Sequence, residues 1–418
     1  MSEQTSEQRT LVPQLRFPEF RDAGEWQEEK LAKFLTESRI EGSAGDLAKK
    51  ITVKLWGKGV FAKRESIKGS ENTKYYKRRA GQFIYSKLDF INQAFGVVPE
   101  ELDGFESTVD LPCFDIAEAL DPVFLLEYVK REDFYRKNGE IADGGRKAKR
   151  IQTDVFLSFC IALPVHKAEQ KKIADCLSSL DELLTAEGQK LDTLKAYKKG
   201  LMFQLFPGEG ETVPCLRFKE FLNEGNWERV SLGDLGTLVS GLTYSPDDVR
   251  DDGLLVLRSS NIKDGRILLD DCVYVDPEIK GANLTKPDDI LICVRNGSSA
   301  LIGKNAIIPN GMPLCTHGAF MTVFRSEYAH FIFQLFQTPA YQNQVAADLG
   351  ATINSINSGQ LLKYKFFIPK PPEQMRIVNL LSSLDELVAA QSRKIDHLKK
   401  HRTALMQRLF PARDEVLV

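Results

Sequence analysis

The chain has 418 residues, enough for two or more domains with cores of their own. Apolar residues make up 43% and charged residues 27%, with no apolar run near the roughly eighteen residues of a membrane span and a polar opening, MSEQTSEQRT. That argues against a membrane or secreted protein, and the net charge of −2 does not favour a nucleic-acid binder unless its cations cluster. Seven cysteines without a C-x-x-C pair point to reduced thiols in a cytoplasm. Of five histidines only His397 and His401 stand at helical ligand spacing, on a charged surface, so no metal is expected.

In chain order, the first recognisable block is VPQLRFPEFRDAGEW at residues 12–26. A stretch at 27–163 follows, containing KLWGKGVFAKRESIKG (54–69), NTKYYKRRAGQFIYSKLDF (72–90) and RKAKR (146–150). Lys and Arg interleave there with Trp, Tyr and Phe. Such cations neutralise phosphate, and amide and guanidinium groups read base edges.

Next comes a long helix. Ile173, Leu177, Leu180, Leu184, Leu191, Leu194, Leu201 and Leu205 recur in steps of four and three, with polar gaps at Glu187 and Lys198. This is a seam of period 3.5, the mark of a coiled coil. Pro164 and Pro207 bound it, because proline lacks the helical donor and clashes with the preceding turn. The helix is then roughly 60 Å long. Gly188 in its middle costs about 1 kcal/mol relative to alanine; a close helix contact or a bend would account for it.

The same order then begins again. VPCLRFKEFLNEGNW at 213–227 repeats the short block at an offset of 201. A second stretch, 228–368, holds LRSSNIKDGRI (257–267) and DDILICVRNGSSALIGKNAII (288–308). It resembles the first stretch only near the end, where SINSGQLLKYKFFIP (355–369) echoes RIQTDVFLSFCIALP (150–164). Residues 373–411 repeat 169–207 at an offset of 204, with 20 identities in 39 positions, and LSSLDEL stands in both. The second seam is Ile377, Leu381, Leu384, Val388, Ile395, Leu398, Leu405 and Leu409, with gaps at Gln391 and Arg402. Helices this long with one apolar stripe need a partner, and the natural one is the other copy, running antiparallel. The matching polar gaps either specify register or extend to solvent.

Enzyme signatures are missing. GSSALIGKN (297–305) has one residue too many between its glycines for a P-loop, and Asn305 stands where Ser or Thr would hold magnesium. There is no G-x-G-x-x-G opening a helix and no G-x-S-x-G elbow. The nuclease-like Glu278–x–Lys280 has two counterparts elsewhere in the chain and is near background. Taken alone, the residues support a bipartite nucleic-acid-binding scaffold. A coiled-coil protein adaptor and a binder of RNA stay open beside it.

The layout resembles the specificity subunit of bacterial type I restriction–modification enzymes. The resemblance rests on the two helical cores (169–207 and 373–411), on RRAGQFIYSKLDFINQAFGVVPEELDGFEST (78–108), on VLRSSNIKDGRI and KPDDILICVRNGSSALIGK, and on LGATINSINSGQLLKYKFFIPKPPEQMRIV (349–378). It implies an α+β fold: two globular α/β target-recognition domains (27–164 and 228–368) joined by two long antiparallel coiled-coil helices (165–207 and 369–411) in a pseudo-two-fold arrangement. An N-terminal segment (1–26), a linker repeating it (208–227) and a tail (412–418) complete the chain. Each recognition domain would read one half of an asymmetric, bipartite site on double-stranded DNA, with the halves about one helical turn apart. The helices would set the spacer and bind two methyltransferase subunits, and restriction subunits would add translocation and cleavage. S-adenosylmethionine, ATP and magnesium belong to those partners, and this chain would be non-catalytic. The expected DNA contacts are Lys74, Lys77, Arg78, Arg79 and Lys87 in the first domain. In the second they are Arg258, Ser260, Asn261, Lys263, Arg295, Asn296, Ser298 and Lys304, of which Lys304 has a structural alternative.

Overall fold

The computed structural model describes residues 11–64, 70–140, 150–349 and 355–411. The basic run at 146–149, the end of the 54–69 stretch, residues 350–354 and the tail therefore lie outside the described residues. The chain divides into two units. One is Met1–Gly188 with Arg393–Val418, and the other is Gln189–Ser392.

The first unit begins with the short block and the strands β1 (Gln27–Lys30), β2 (Leu35–Ser38), β3 (Ile40–Ala44), β4 (Ile51–Val53), β5 (Val60–Ala62), β6 (Lys74–Lys77), β7 (Phe83–Tyr85), β8 (Phe95–Val97), β9 (Glu106–Ser107) and β10 (Cys113–Ile116). Helices α1 (Pro122–Val129), α2 (Glu132–Gly139) and α3 (Thr153–Ser158) follow, then β11 (Cys160–Leu163). Proline at the start of α1 costs no helical hydrogen bond, and the Asp121 carboxylate accepts from the Val123 and Phe124 N–H groups to cap it. The sheets are β2-β10-β7-β8, β3-β6-β9 and the pairs β4-β5 and β1-β11. Strand β7, Phe-Ile-Tyr, is buried throughout because layers cover both its faces.

Helix α4 (Lys167–Leu205) runs from the first unit into the second. The second unit contains β12 (Glu228–Ser231), α5 (Leu232–Leu235), β13 (Thr237–Ser240), β14 (Val249–Arg250), β15 (Leu254–Leu257), β16 (Ile262–Lys263), β17 (Arg266–Ile267), β18 (Tyr274–Val275), β19 (Ile290–Cys293), β20 (Asn305–Ile307), β21 (Cys315–His317) and β22 (Met321–Arg325). Helices α6 (Ala329–Leu335), α7 (Pro339–Asp348) and α8 (Ser358–Leu361) precede β23 (Lys365–Ile368) and α9 (Pro371–Leu409). The sheets are β13-β22-β19-β20, β14-β18-β15-β21 and the pairs β16-β17 and β12-β23.

The two unlike stretches thus share one plan. The order β2-β10-β7-β8 is the order β13-β22-β19-β20, antiparallel throughout. Two helices, a short helix and a return strand follow each sheet, and each return strand pairs with the strand that leads into its stretch. The echo between 150–164 and 355–369 is this last helix and strand.

The repeated blocks form the joints. In the first unit Arg16 grips the Glu169 carboxylate with two hydrogen bonds of 2.7 Å, and both side chains are buried. In the second, Arg217 grips Glu373 at 2.8 and 2.7 Å. Trp26 meets Phe410 edge-on at 6.1 Å, and Trp227 meets Phe206 edge-on at 6.2 Å. Each tryptophan therefore packs on the helix end supplied by the opposite repeat.

Antiparallel pairing of α4 with α9 holds inside each unit. In the first, Ile173, Ala174 and Leu177 share a core with Leu409 and Phe410, Asp181 accepts from Arg402, and Glu187 pairs with Lys394. Positions rise in α4 as they fall in α9. In the second, Met202 and Leu205 share a core with Ile377, Leu381 and Leu384, and Lys198 reaches Asp385 at 2.6 and 2.7 Å. Every one of the sixteen seam residues is buried or half-buried. The polar gaps are filled rather than left to solvent. Glu187 and Gln391 are buried, and Lys198 and Arg402 bind the aspartate of the other copy's LSSLDEL. At Arg402 burial opposes the charge, but the hydrogen bond to Asp181 and the charge of Glu127 outweigh it and raise its pKa.

Candidate nucleic-acid interface

In the first unit, β6 carries Lys-Tyr-Tyr-Lys between β3 and β9, with Lys74 and Lys77 exposed. Arg79 is exposed just beyond it, and Lys87 is half-buried after β7. Arg78 corrects the sequence-based expectation. It is 2% exposed and donates to Ser107 Oγ at 2.8 Å, to the Ser38 carbonyl at 2.7 Å and to the Leu111 carbonyl at 3.3 Å. Burial lowers its pKa. All three partners are internal, so Arg78 ties strands together, and its place in a basic run did not reveal this.

Beyond β9 the surface continues. Lys50 forms a parallel bridge with Glu106, and the β4–β5 hairpin extends from there. Its turn exposes Trp56, and Phe61 on β5 is exposed with Lys54 Nζ 4.4 Å above its ring. The sequence marks this stretch as basic and aromatic. Which of its side chains face solvent follows from the pairing of β4 with β5.

In the second unit, residues far apart in sequence meet. Asn296 Nδ2 donates to Ser259 Oγ at 3.0 Å, joining the loop before β16 to the turn after β19. Ser260, Lys263, Arg295 and Ser298 are exposed around this junction. Arg295 lies 5.8 Å from the Phe320 ring, and Phe320 is 56% exposed, a partner that no local signal near Arg295 announced. Arg258 is held by Asp271 at 2.8 Å, and Lys304 is half-buried in the turn that leads into β20. Asn261 is the second correction. It is 1% exposed, accepts from the Arg258 N–H at 2.8 Å and donates to the carbonyls of Leu268 and Asp271 at 3.0 Å each. It shapes the loop that presents Ser260 and Lys263.

Among the described residues no helix is long and apolar enough to cross a membrane, and no group of three His, Cys, Asp or Glu side chains is placed to hold a metal. His397 and His401 are both exposed on α9.

Residues 224–400 match the type I restriction modification DNA specificity domain. Over that stretch the chain is similar to the specificity subunits of type I restriction–modification enzymes. One similar specificity subunit is that of the EcoKI enzyme of Escherichia coli (strain K12), 29% identical over 199 residues. That match takes in 44% of this chain and 42% of the EcoKI subunit, so the chain spans less than half the length of this relative. Among solved structures, the type I S subunit from M. genitalium covers 97% of this chain and 100% of its own, with a TM-score of 0.59 at 14% identity. A second, from work on assembly and conformational transition of the type I R-M system, covers 93% and 98%, with a TM-score of 0.55 at 16% identity. These two likenesses are of fold. They extend the likeness of fold over both units, including residues 11–188, which the matched domain does not cover.

Proposed function

We propose that the chain is the sequence-reading subunit of a type I restriction–modification complex in the cytoplasm. Each unit reads one half of a bipartite, asymmetric site on double-stranded DNA. One observation carries this reading: two stretches of unlike sequence adopt the same strand order and display different polar side chains. A shared plan with different contacts suits one kind of ligand read at two different sequences. Base edges are distinguished by side-chain donors and acceptors, and exposed cations supply phosphate affinity.

The paired helices set the unread spacer and hold two methyltransferase subunits, and restriction subunits join that assembly. S-adenosylmethionine, ATP and magnesium serve those partners. This chain supplies the address and performs no chemistry. The test is single-molecule methylation mapping of DNA from cells with and without the chain, the methyltransferase being present in both. The expected result is a bipartite motif with methyladenine on each strand that vanishes without the chain. Exchanging residues 27–163 for those of another family member should change one half of the motif only. Methylation unaffected by loss of the chain would refute the reading.

A further inference from the structure

The turn between β4 and β5 holds a tryptophan out to solvent. Trp56 is 58% exposed, whereas the other two tryptophans, Trp26 and Trp227, are buried. Its φ is +61°, a backbone region that bulky L residues seldom adopt. The turn is nevertheless fixed from several sides. The Trp56 N–H donates to the Asn92 carbonyl at 2.8 Å, the Gly57 N–H to Gln93 at 2.9 Å, and the Lys54 N–H to Gly59 at 2.9 Å. Beneath it, Ile51, Val53 and Val60 are buried in a core with Ile84 and Val98. A Cβ on Gly96 would stand 2.4 Å from Val60 Cγ2, so the hairpin lies directly on β8. Backbone held in a disfavoured region by its surroundings is a mark of functional positions.

The hairpin's own charged residues are of one sign. Between Asp46 and Glu65 there is no acidic residue, while Lys54, Lys58, Lys63 and Arg64 are all exposed. Leu55 and Phe61 add apolar surface beside them. A solvent-facing aromatic on a hairpin that carries only cations complements a polyanion that also offers flat apolar faces, which is the chemistry of a nucleic acid.

We propose that the β4–β5 hairpin is a DNA wedge: Trp56 packs against the bases at one step of the duplex while Lys54 and Lys58 engage the flanking phosphates. This rests on the reading of the chain as a DNA-binding subunit. A protein surface is the competing occupant of the turn, and the hairpin's run of cations without an acidic residue favours DNA.

The buried state of Trp26 and Trp227 makes Trp56 the residue that a quencher reaches. The full chain is titrated with an end-labelled, mixed-sequence linear duplex at low salt, first alone and then with its methyltransferase partner. Anisotropy reports binding, and acrylamide quenching of tryptophan emission reports Trp56. Trp56→Phe, which lacks the quenchable emission, assigns the signal. DNA should shield Trp56 from acrylamide. Trp56→Ala should weaken binding roughly tenfold with its salt dependence unchanged. Lys54→Ala with Lys58→Ala should instead reduce the slope of log affinity against log salt by about two. Binding by anisotropy with Trp56 still fully quenchable, and with Trp56→Ala as tight as the parent, overturns the wedge and leaves the DNA reading standing. Shielding that appears only when the methyltransferase is added, without DNA, makes the turn a protein surface and also overturns it. Absence of any duplex binding refutes the DNA reading itself, and the wedge with it.

Discussion

Arg16 and Arg217 occupy the same place in two copies of one short block, and each spans two carboxylate oxygens of a buried glutamate. Removing one member of such a pair strands the other charge out of water, at about 3–5 kcal/mol. Arg16→Ala should therefore lower the denaturation midpoint of the first unit and spare the second, with Arg217→Ala doing the reverse; hydrogen exchange resolved by peptide would show which unit loosens. Arg78 and Lys77 give a second contrast between neighbours. Arg78→Ala removes three internal hydrogen bonds and should destabilise the first unit by several kcal/mol, on the order of 1–3 for each buried group left unsatisfied. Lys77→Ala should leave stability unchanged and reduce the salt slope of DNA binding by about one. Equal stability of the two variants would show that Arg78 is not a strut. From sequence the pair looks alike, since both are cations in one run. Pleat and sheet layering decide which of them points inward.

At the scale of elements, the seam residues of α4 and α9 were legible because a 3.5-residue period sustained over 39 residues fits a coiled coil and little else. What fills the polar gaps was not. Lys198 binds Asp385, and Arg402 binds Asp181, so the aspartate of each LSSLDEL answers the gap in the other copy. Both aspartates are only part-buried, so one such pair contributes about 1 kcal/mol or less. Asp385→Lys should lower the unfolding midpoint of the second unit, and adding Lys198→Asp should recover most of that loss; failure of the double variant to recover would show that the pairing carries no register information. Gly188 is explained neither by a close contact nor by a break. A Cβ there would meet nothing within 4 Å, and α4 is continuous through it. Gly188→Ala should stabilise α4 by about 0.5–1 kcal/mol, read as a higher midpoint in thermal denaturation.

At the scale of the whole molecule, the reading of a bipartite site makes helix length a specificity parameter. One heptad inserted after Gly188 and a matching heptad after Ser392 would fall at the boundary of the two units. The contacts described within each unit would survive. Methylation mapping should then find both half-sites unchanged and the spacer altered; an unaltered spacer would sink the role assigned to the helices. Duplication of the frame was visible by alignment of the chain against itself, as was the lack of alignment between the two inserts. That the inserts nevertheless share a strand order was hidden. A sheet needs only apolar residues at alternate or buried positions, and Phe-Ile-Tyr in β7 and Ile-Leu-Ile-Cys in β19 meet that need with different letters.

The sequence by itself determined the repeat, the two long helices and their seams, the antiparallel partner and the family resemblance. Each of these is a periodic or local signal, written where it acts. Only the tertiary structure decided that Arg78 and Asn261 face inward, that Asn296 meets Ser259, that Phe320 lies beside Arg295, and that Trp56 stands exposed in a fixed turn. Those outcomes depend on which strand lies beside which and on which face another layer covers. Contacts between residues distant in the chain set both, and no local pattern records them.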